Sequence, residues 1–172
     1  MRDLGCDLHY TITYTTRSQR ANERHGVDYF FVSRSTFEEM LHKGDLLEYA
    51  EVYGNWYGIP KSQVQSAFAR GKDVIIKTDV QGAATIKRLA PKAVMVFLAP
   101  PSMQELERRL RWRMTESQHD LMVRIRTARE EMTKLPLFDY VVMNDKLDEA
   151  ISQIKAIIAA EKCRVPPRIV KL

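Results

Sequence analysis

Cysteine is scarce in this chain: its 172 residues hold two, Cys6 and Cys163. They lie far apart and at no metal-ligand spacing, which excludes a disulfide framework and a thiolate zinc site and favours reduced thiols in a cytoplasm. No apolar run approaches the ~18 residues that suggest a membrane-spanning helix. The opening Met1-Arg2-Asp3-Leu4-Gly5-Cys6-Asp7 lacks the apolar centre of a signal peptide. Internal repeats, low-complexity tracts and clear linkers are also missing. So is any Gly-x-x-x-x-Gly-Lys-Ser/Thr stretch. The only Gly-Lys pair is Gly71-Lys72, with Ser66 and Asp73 at the flanking positions of that pattern and a strand, not a helix, expected after it. These absences point to a soluble, cytoplasmic protein with no membrane partner.

What is present is ordinary in amount. Hydrophobic residues at 45% and charged residues at 28% suit one globular domain, or one with small inserts, long enough to bury a sizeable core. Lys and Arg number 27 against 22 Asp and Glu, a net charge of +5 that favours an anionic partner.

The pattern of residues predicts a strand over 9–16, a short extended segment over 28–32, and a helix opened by the capping box Ser35-Thr36-Phe37-Glu38 and closed by Gly44. An extended stretch over 45–53 leads to a Gly-rich turn at 54–60, then a helix from Lys61 to Arg70 that Gly71 stops. The rhythm then changes. Asp73-Val74-Ile75-Ile76 and Ala93 to Ala99 read as strands buried on both faces. Helices are expected over 81–90, from the capping box Ser102-Met103-Gln104-Glu105 to about Arg113, and over 118–134. A strand at Tyr140–Met143 precedes a helix over 147–162 whose apolar face is Leu147, Ile151, Ile154 and Ile158; an extended tail at Val165-Pro166-Pro167 follows. The order strand–helix–strand–helix–helix–strand–helix implies a parallel sheet flanked by helices, an α/β fold, with 28–60 as a small inserted mixed lobe.

Four groups of residues can carry chemistry. Arg17 and Arg20, with Tyr29 and Tyr57, offer donors to a phosphate, since a guanidinium meets phosphate oxygens two at a time; alone, they would serve equally as a solvated basic loop and two core tyrosines. Glu48 could accept from the N1–H and 2-amino group that guanine presents side by side, or face water from an edge strand. Asp79 ends an apolar strand with Gly82 opening the next helix, and ligands in open α/β sheets bind beyond the carboxyl ends of strands; a helix N-cap explains an Asp there as well. The basic helices hold Arg108, Arg109, Arg111 and Arg113, then Arg124, Arg126 and Arg129. Arginines of this kind stabilise a migrating phosphoryl group, although pairs such as Glu105–Arg109 suit a solvated face. Aromatics do not interleave with these helices as a nucleic-acid stacking platform requires.

In order, Thr15-Thr16-Arg17-x-x-Arg20, Gly26-Val27-Asp28-Tyr29-Phe30-Phe31-Val32-Ser33, Glu48 to Gly58, Asp79-Val80-Gln81-Gly82-Ala83, Ala99-Pro100-Pro101-Ser102, Glu107-Arg108-Arg109-Leu110 and Val141 to Asp145 resemble the guanylate kinase family from residue 9 to about 162. The resemblance implies a P-loop-kinase-like fold and transfer of the γ-phosphoryl of ATP to GMP with Mg2+. It implies that Arg17, Arg20, Tyr29 and Tyr57 hold the GMP phosphate and that Thr13, Glu48 and Asp79 hold guanine. It further implies that Arg109, Arg113 and Arg124 engage ATP and the moving phosphoryl group, and that Asn144 lies near adenine. The core would comprise 1–27 and 61–172, with a lid at about 113–120, and 28–60 would be the mobile GMP-binding lobe.

Three departures stand beside it. The P-loop and its central strand would precede residue 1 in relatives. The expectation is therefore a fragment, an internal start or a mis-assigned start, with open sheet edges that a homodimer or strand swap could cover. Lys77 stands where relatives carry an acid that helps hold magnesium; it would repel the metal or sit near a phosphate as a point charge. Ile59 replaces a Ser or Thr hydroxyl offered to guanine. An impaired guanylate-kinase-like module that binds GMP or protein is the alternative these departures raise, and retention of Arg109, Arg113 and Arg124 favours the enzyme.

Overall fold

A computed structural model describes residues 8–112 and 118–170, with only the backbone of His119 and Asp120. The chain divides into two compact units, Met1–Pro91 and Lys92–Lys171.

In the first unit the elements run β1 (Leu8–Tyr10), β2 (Tyr14–Thr15), β3 (Phe30–Phe31), α1 (Arg34–Lys43), β4 (Leu46–Val52), β5 (Asn55–Pro60), α2 (Lys61–Ala69), β6 (Asp73–Ile75) and α3 (Val80–Leu89). β1 and β6 pair in parallel, with His9 opposite Val74. A second, mixed sheet has the order β3-β2-β5-β4. It is the mixed segment expected at 28–60, with β2 added from the preceding chain.

The single strand expected over 9–16 is two strands in two sheets. Thr11 still follows β1, its N–H donating to the Ile75 carbonyl at 3.0 Å. At Ile12 the chain leaves that sheet, and the side-chain amide of Gln63 takes over as its partner. The Ile12 N–H donates to Gln63 Oε1 at 2.8 Å, and Gln63 Nε2 donates to the Ile12 carbonyl at 3.0 Å. Thr13 then accepts from the Phe30 N–H at 2.9 Å and has joined the mixed sheet. The alternating Tyr-Thr pattern persists across this change of partner and so conceals it.

The cap of α1 is Ser33, two residues before the expected cap Ser35. Ser33, extended at φ −69°, accepts from the Thr36 N–H, while Glu38 pairs along the helix with Arg34 at 3.1 Å. Gly44, at φ 68°, closes it as expected, and its successor Asp45 donates back to Met40. The turn expected at 54–60 is only Tyr53-Gly54, with φ of 49° and 75°. Positive φ at both central residues matches the twist of a two-residue hairpin, and the remainder pairs as β5, Val52 opposite Asn55. Gly58 lets α1 approach this sheet, since a Cβ there would stand 2.9 Å from Phe37 Cζ and 2.7 Å from Leu46 Cδ1. β6 was expected to be buried on both faces, but Val74 and Ile75 are half-buried and Asp73 is exposed.

The second unit contains β7 (Val96–Ala99), α4 (Met103–Trp112), α5 (Gln118–Met132), a 3₁₀ turn (Leu135–Leu137), β8 (Tyr140–Met143) and α6 (Leu147–Lys162). β7 and β8 are parallel, from Val96 opposite Tyr140 to Ala99 opposite Met143. β7 starts later than expected because Met95 is tied to the loop before β8: its N–H donates to Asp139 Oδ2 at 2.8 Å and its carbonyl accepts from the Asp139 and Tyr140 N–H groups. β7 also buries one face only. Phe97, Ala99 and Val142 are interior, whereas Leu98, Val141 and Met143 are exposed. On α6 the packed face is Ala150, Ile151, Ile154, Ile157 and Ile158; Leu147, expected on it, is exposed. No helix among the described residues is long and apolar enough to cross a membrane.

Replacing Gln63 by Ala strands both backbone groups of Ile12. The Gln63→Ala protein is expected to lose about 1–3 kcal/mol of stability, read as a lower urea midpoint with an unchanged slope; an unchanged midpoint would remove Gln63 from this role.

Candidate functional site

Glu48 is carried on β4, where residues alternate between a buried and a more open face and the register shifts between Leu46 and Glu48. The shift places Glu48 opposite Ile59, which is 1% exposed. Glu48 is itself only 4% exposed, and its Oε1 has no hydrogen-bond partner among the described residues. Thr78 Oγ1 donates to the other oxygen at 3.5 Å, a long contact. Burial, reinforced by the charge of Asp79 and only partly offset by Thr78, raises its pKa from 4.5 to about 7. Desolvation disfavours a carboxylate that has no donors around it.

The helix after β6 is built to approach this carboxylate. Asp79 caps α3, its Oδ1 accepting from the Gln81 and Gly82 N–H groups at 2.8 and 2.9 Å. The capping reading of Asp79 therefore holds, and its charge also bears on Glu48. A Cβ on Gly82 would stand 2.7 Å from Glu48 Oε1 and would overlap Thr78 Oγ1. The glycine is required here by close approach. Thr13 is buried.

A cationic and aromatic cluster lies in the same unit. Arg17 sends Nη2 to both oxygens of Glu23, at 2.7 and 2.9 Å, and Nη1 to the Ser18 carbonyl at 2.6 Å. Burial works to lower its pKa, and bonds to Glu23 and Tyr57 outweigh that and raise it. The guanidinium is 5.5 Å from the Tyr29 ring centroid. Tyr29 meets Tyr57 edge to face with centroids 6.1 Å apart, and its hydroxyl accepts from Lys77 Nζ at 3.0 Å. Arg20 is exposed, and its N–H donates to Glu23. The structure thus brings Arg17, Tyr29 and Tyr57 together around Glu23 and Lys77, with Arg20 in the adjoining turn.

In the second unit, Arg109 projects from α4 toward the carboxyl end of β8. Its Nε donates to Glu105 at 2.6 Å and its Nη1 to the Asn144 carbonyl at 2.6 Å. Bonds from Arg108 and Arg109 hold the Glu105 carboxyl near pKa 2. Asn144 is anchored by its N–H to the Ala99 carbonyl at 2.7 Å. Arg124 is half-buried on α5. Arg113 and most of the expected lid, 113–117, lie outside the described residues.

A family model described as guanylate kinase matches residues 4–161. The chain belongs to the guanylate kinase family. It is 43% identical to a guanylate kinase of Shouchella clausii over 164 residues, which cover 95% of this chain and 80% of that one. A guanylate kinase of Thermus thermophilus is 46% identical over 157 residues, 91% of this chain and 71% of the relative. Among solved structures, guanylate kinase from Anaplasma phagocytophilum superposes with a TM-score of 0.84 at 30% identity, covering 98% of this chain and 83% of that one. The P-loop-kinase-like α/β architecture expected from the sequence accords with this guanylate kinase match.

Sequence reasoning passed over the parts that three residues play around these side chains. Glu23 occupies the Arg17 fork and Thr78 touches Glu48; neither carries a signal in one sequence. Gly82 was readable only as a helix opening, though a glycine one turn from an acid is a hint of close approach.

The Glu48 pKa has a consequence for stability with a definite sign. Below about pH 4.5 the folded and unfolded chains both hold the proton; between about 4.5 and 7 only the folded chain does. Stability from this group therefore falls as pH rises through that window, by roughly 3 kcal/mol. Glu48→Gln removes the slope, so the variant should gain on the unliganded parent steadily from pH 4.5 to 7.5. Parallel stability curves would refute the assignment.

Proposed function

We propose that this chain transfers the γ-phosphoryl group of ATP to GMP, giving ADP and GDP. The observation that carries the reading is a buried carboxylate with an unpartnered oxygen on the same sheet as a cation–tyrosine cluster: Tyr57 pairs with Ala50, two residues along β4 from Glu48. GMP has adjacent base donors for the first and a phosphate dianion for the second. Glu48 accepts from N1–H and the 2-amino group, Thr13 adds its hydroxyl, and Asp79 completes the guanine side. Ile59 supplies no hydroxyl, so one hydrogen bond, worth about 0.5–1.5 kcal/mol, is missing and selectivity leans on Glu48. Arg17 turns from Glu23 to the phosphate, joined by Arg20, Tyr29 and Tyr57.

No protein nucleophile is needed. A GMP phosphate oxygen attacks, and the chain supplies positioning and charge stabilisation. Arg109, Arg113 and Arg124 neutralise the donor phosphates, and Asn144 borders adenine. Magnesium belongs to the donor substrate in this reading, held by phosphate oxygens and water. Lys77 follows β6 at its carboxyl end, and its charge would repel a metal ion there. The lobe at 28–60 moves with GMP against a core of 1–27 and 61–172, and a lid at about 113–120 excludes water. Nucleotide substrates place the reaction in the cytoplasm. A homodimer over the sheet edges is a separate expectation, decided by sedimentation of the purified chain.

Calorimetric titration with GMP, then with magnesium-ATP, and an assay for GDP test the reading. Wild-type protein should bind GMP and release a proton from Glu48 near pH 6.5, seen as a heat that varies with buffer ionisation enthalpy. Glu48→Gln should lose most of that proton release and bind GMP about 10–100-fold more weakly. Affinity unchanged by the substitution would sink the guanine assignment, and GMP binding with no GDP formed would favour a binding module.

A further inference from the structure

Lys77 has no part in the roles assigned above, yet its surroundings are specific. It follows β6 at the carboxyl end of the strand, where α/β sheets place their ligands. Its Nζ donates to the Tyr29 hydroxyl at 3.0 Å and lies 4.6 Å from the centre of the same ring. Arg17 approaches that ring too, at 5.5 Å. Two cations are therefore gathered on one tyrosine. They differ in one respect: Arg17 is neutralised by Glu23, whereas Lys77 meets no carboxylate among the described residues. Burial works to lower the pKa of the ammonium group, but the hydroxyls of Tyr29 and Tyr10 outweigh it and raise the pKa, so the charge persists at neutral pH.

We infer that Lys77 is a ligand of the acceptor nucleotide's phosphate, acting directly and through the Tyr29 hydroxyl. The inference rests on the proposed reading of this site as the GMP site. An ammonium group has three N–H donors, and the two tyrosine hydroxyls leave one for an anion. The Tyr29 oxygen, once it accepts from Lys77, keeps its own proton to donate, and that donor is strengthened by the cation behind it. A phosphate oxygen hydrogen-bonded to Tyr29 then lies within direct attraction of Nζ. While Glu23 covers Arg17, Lys77 provides the uncompensated positive charge that draws the dianion in, and Arg17 adds its fork when the phosphate displaces Glu23. A lysine at this position thus turns the end of β6 into a second cationic support for the phosphate.

The measurement is the affinity of the full chain for GMP and for guanosine, which lacks the phosphate, at two salt concentrations. Lys77→Met keeps the length of the side chain and removes the charge. GMP binding should weaken about tenfold, with a shallower salt dependence. Guanosine binding should stay the same, which also reports that the variant is folded. Lys77→Arg should restore GMP binding to within about threefold of the parent. Equal changes for GMP and guanosine, or no change for either, would overturn the inference. Arg17→Gln separates the two levels of the argument. If it abolishes the preference for GMP over guanosine while Lys77→Met retains it, the GMP site stands and the role of Lys77 falls. If the unaltered protein shows no preference for GMP, both fall.

Discussion

The buried carboxylate of Glu48 is the constraint around which the first unit is arranged. A carboxylate removed from water and left with an unpartnered oxygen is a large liability to a folded chain. The fold reduces it by protonation, which is the meaning of a pKa near 7, and not by supplying an arginine. An arginine would satisfy the charge and fill the space beside the carboxylate. The neighbours follow from the same requirement. Ile59 presents apolar surface across the ladder, Thr78 gives only a long contact, and Gly82 withholds the Cβ that would close the space. Stability is set aside at one point, and under the proposed function an outside pair of donors would restore it.

The Arg17 cluster solves the opposite problem. Arginine cannot shed its charge to become buried, so Arg17 is held by an internal carboxylate, two rings and a neighbouring carbonyl. Glu23 keeps the fork in place in the absence of an anion, so little side-chain freedom is lost when one arrives. If these are the two halves of an acceptor site, as proposed, they reach preorganisation by different routes: a neutralised acid at one end, and a paired base at the other.

Much of this was legible in the sequence. The order of strands and helices in the second half follows from apolar runs and capping residues and matches the structure, apart from the 3₁₀ turn at Leu135–Leu137. Motif order was enough for the family. Local partners were not legible. The change of sheet at Ile12 is made by Gln63, 51 residues away, and no periodicity records a side chain standing in for a strand. The turn at 54–60 was read too long because Gly54 and Gly58 look alike in sequence: the first supplies a positive φ, the second supplies room for Phe37 and Leu46. One-sided burial of β7 was also hidden. A Val-Phe-Leu-Ala run gives no sign of which face is covered, since apolar side chains remain common on protein surfaces.

The arginines of α4 show how little spacing alone decides. Arg108 and Arg109 both bond to Glu105, at 2.6 Å each through Nε. Arg108 is 69% exposed and makes an ordinary helical pair, whereas Arg109, 31% exposed, also reaches the Asn144 carbonyl. That second bond ties α4 to the end of β8, where Asn144 is itself fixed to Ala99. A guanidinium in this setting is aimed by its backbone partner and held by its acid. Its arrangement parallels Arg17 with Glu23 and Ser18: a carboxylate and at least one carbonyl on each fork, Asp145 adding a long second carbonyl contact to Arg109 at 3.5 Å. If both forks act on phosphates, each must exchange a carboxylate for a more highly charged anion, an exchange that electrostatics favours and that leaves the carbonyl to preserve direction. The two units would then bind their anions by the same physical device, reached from unrelated stretches of sequence.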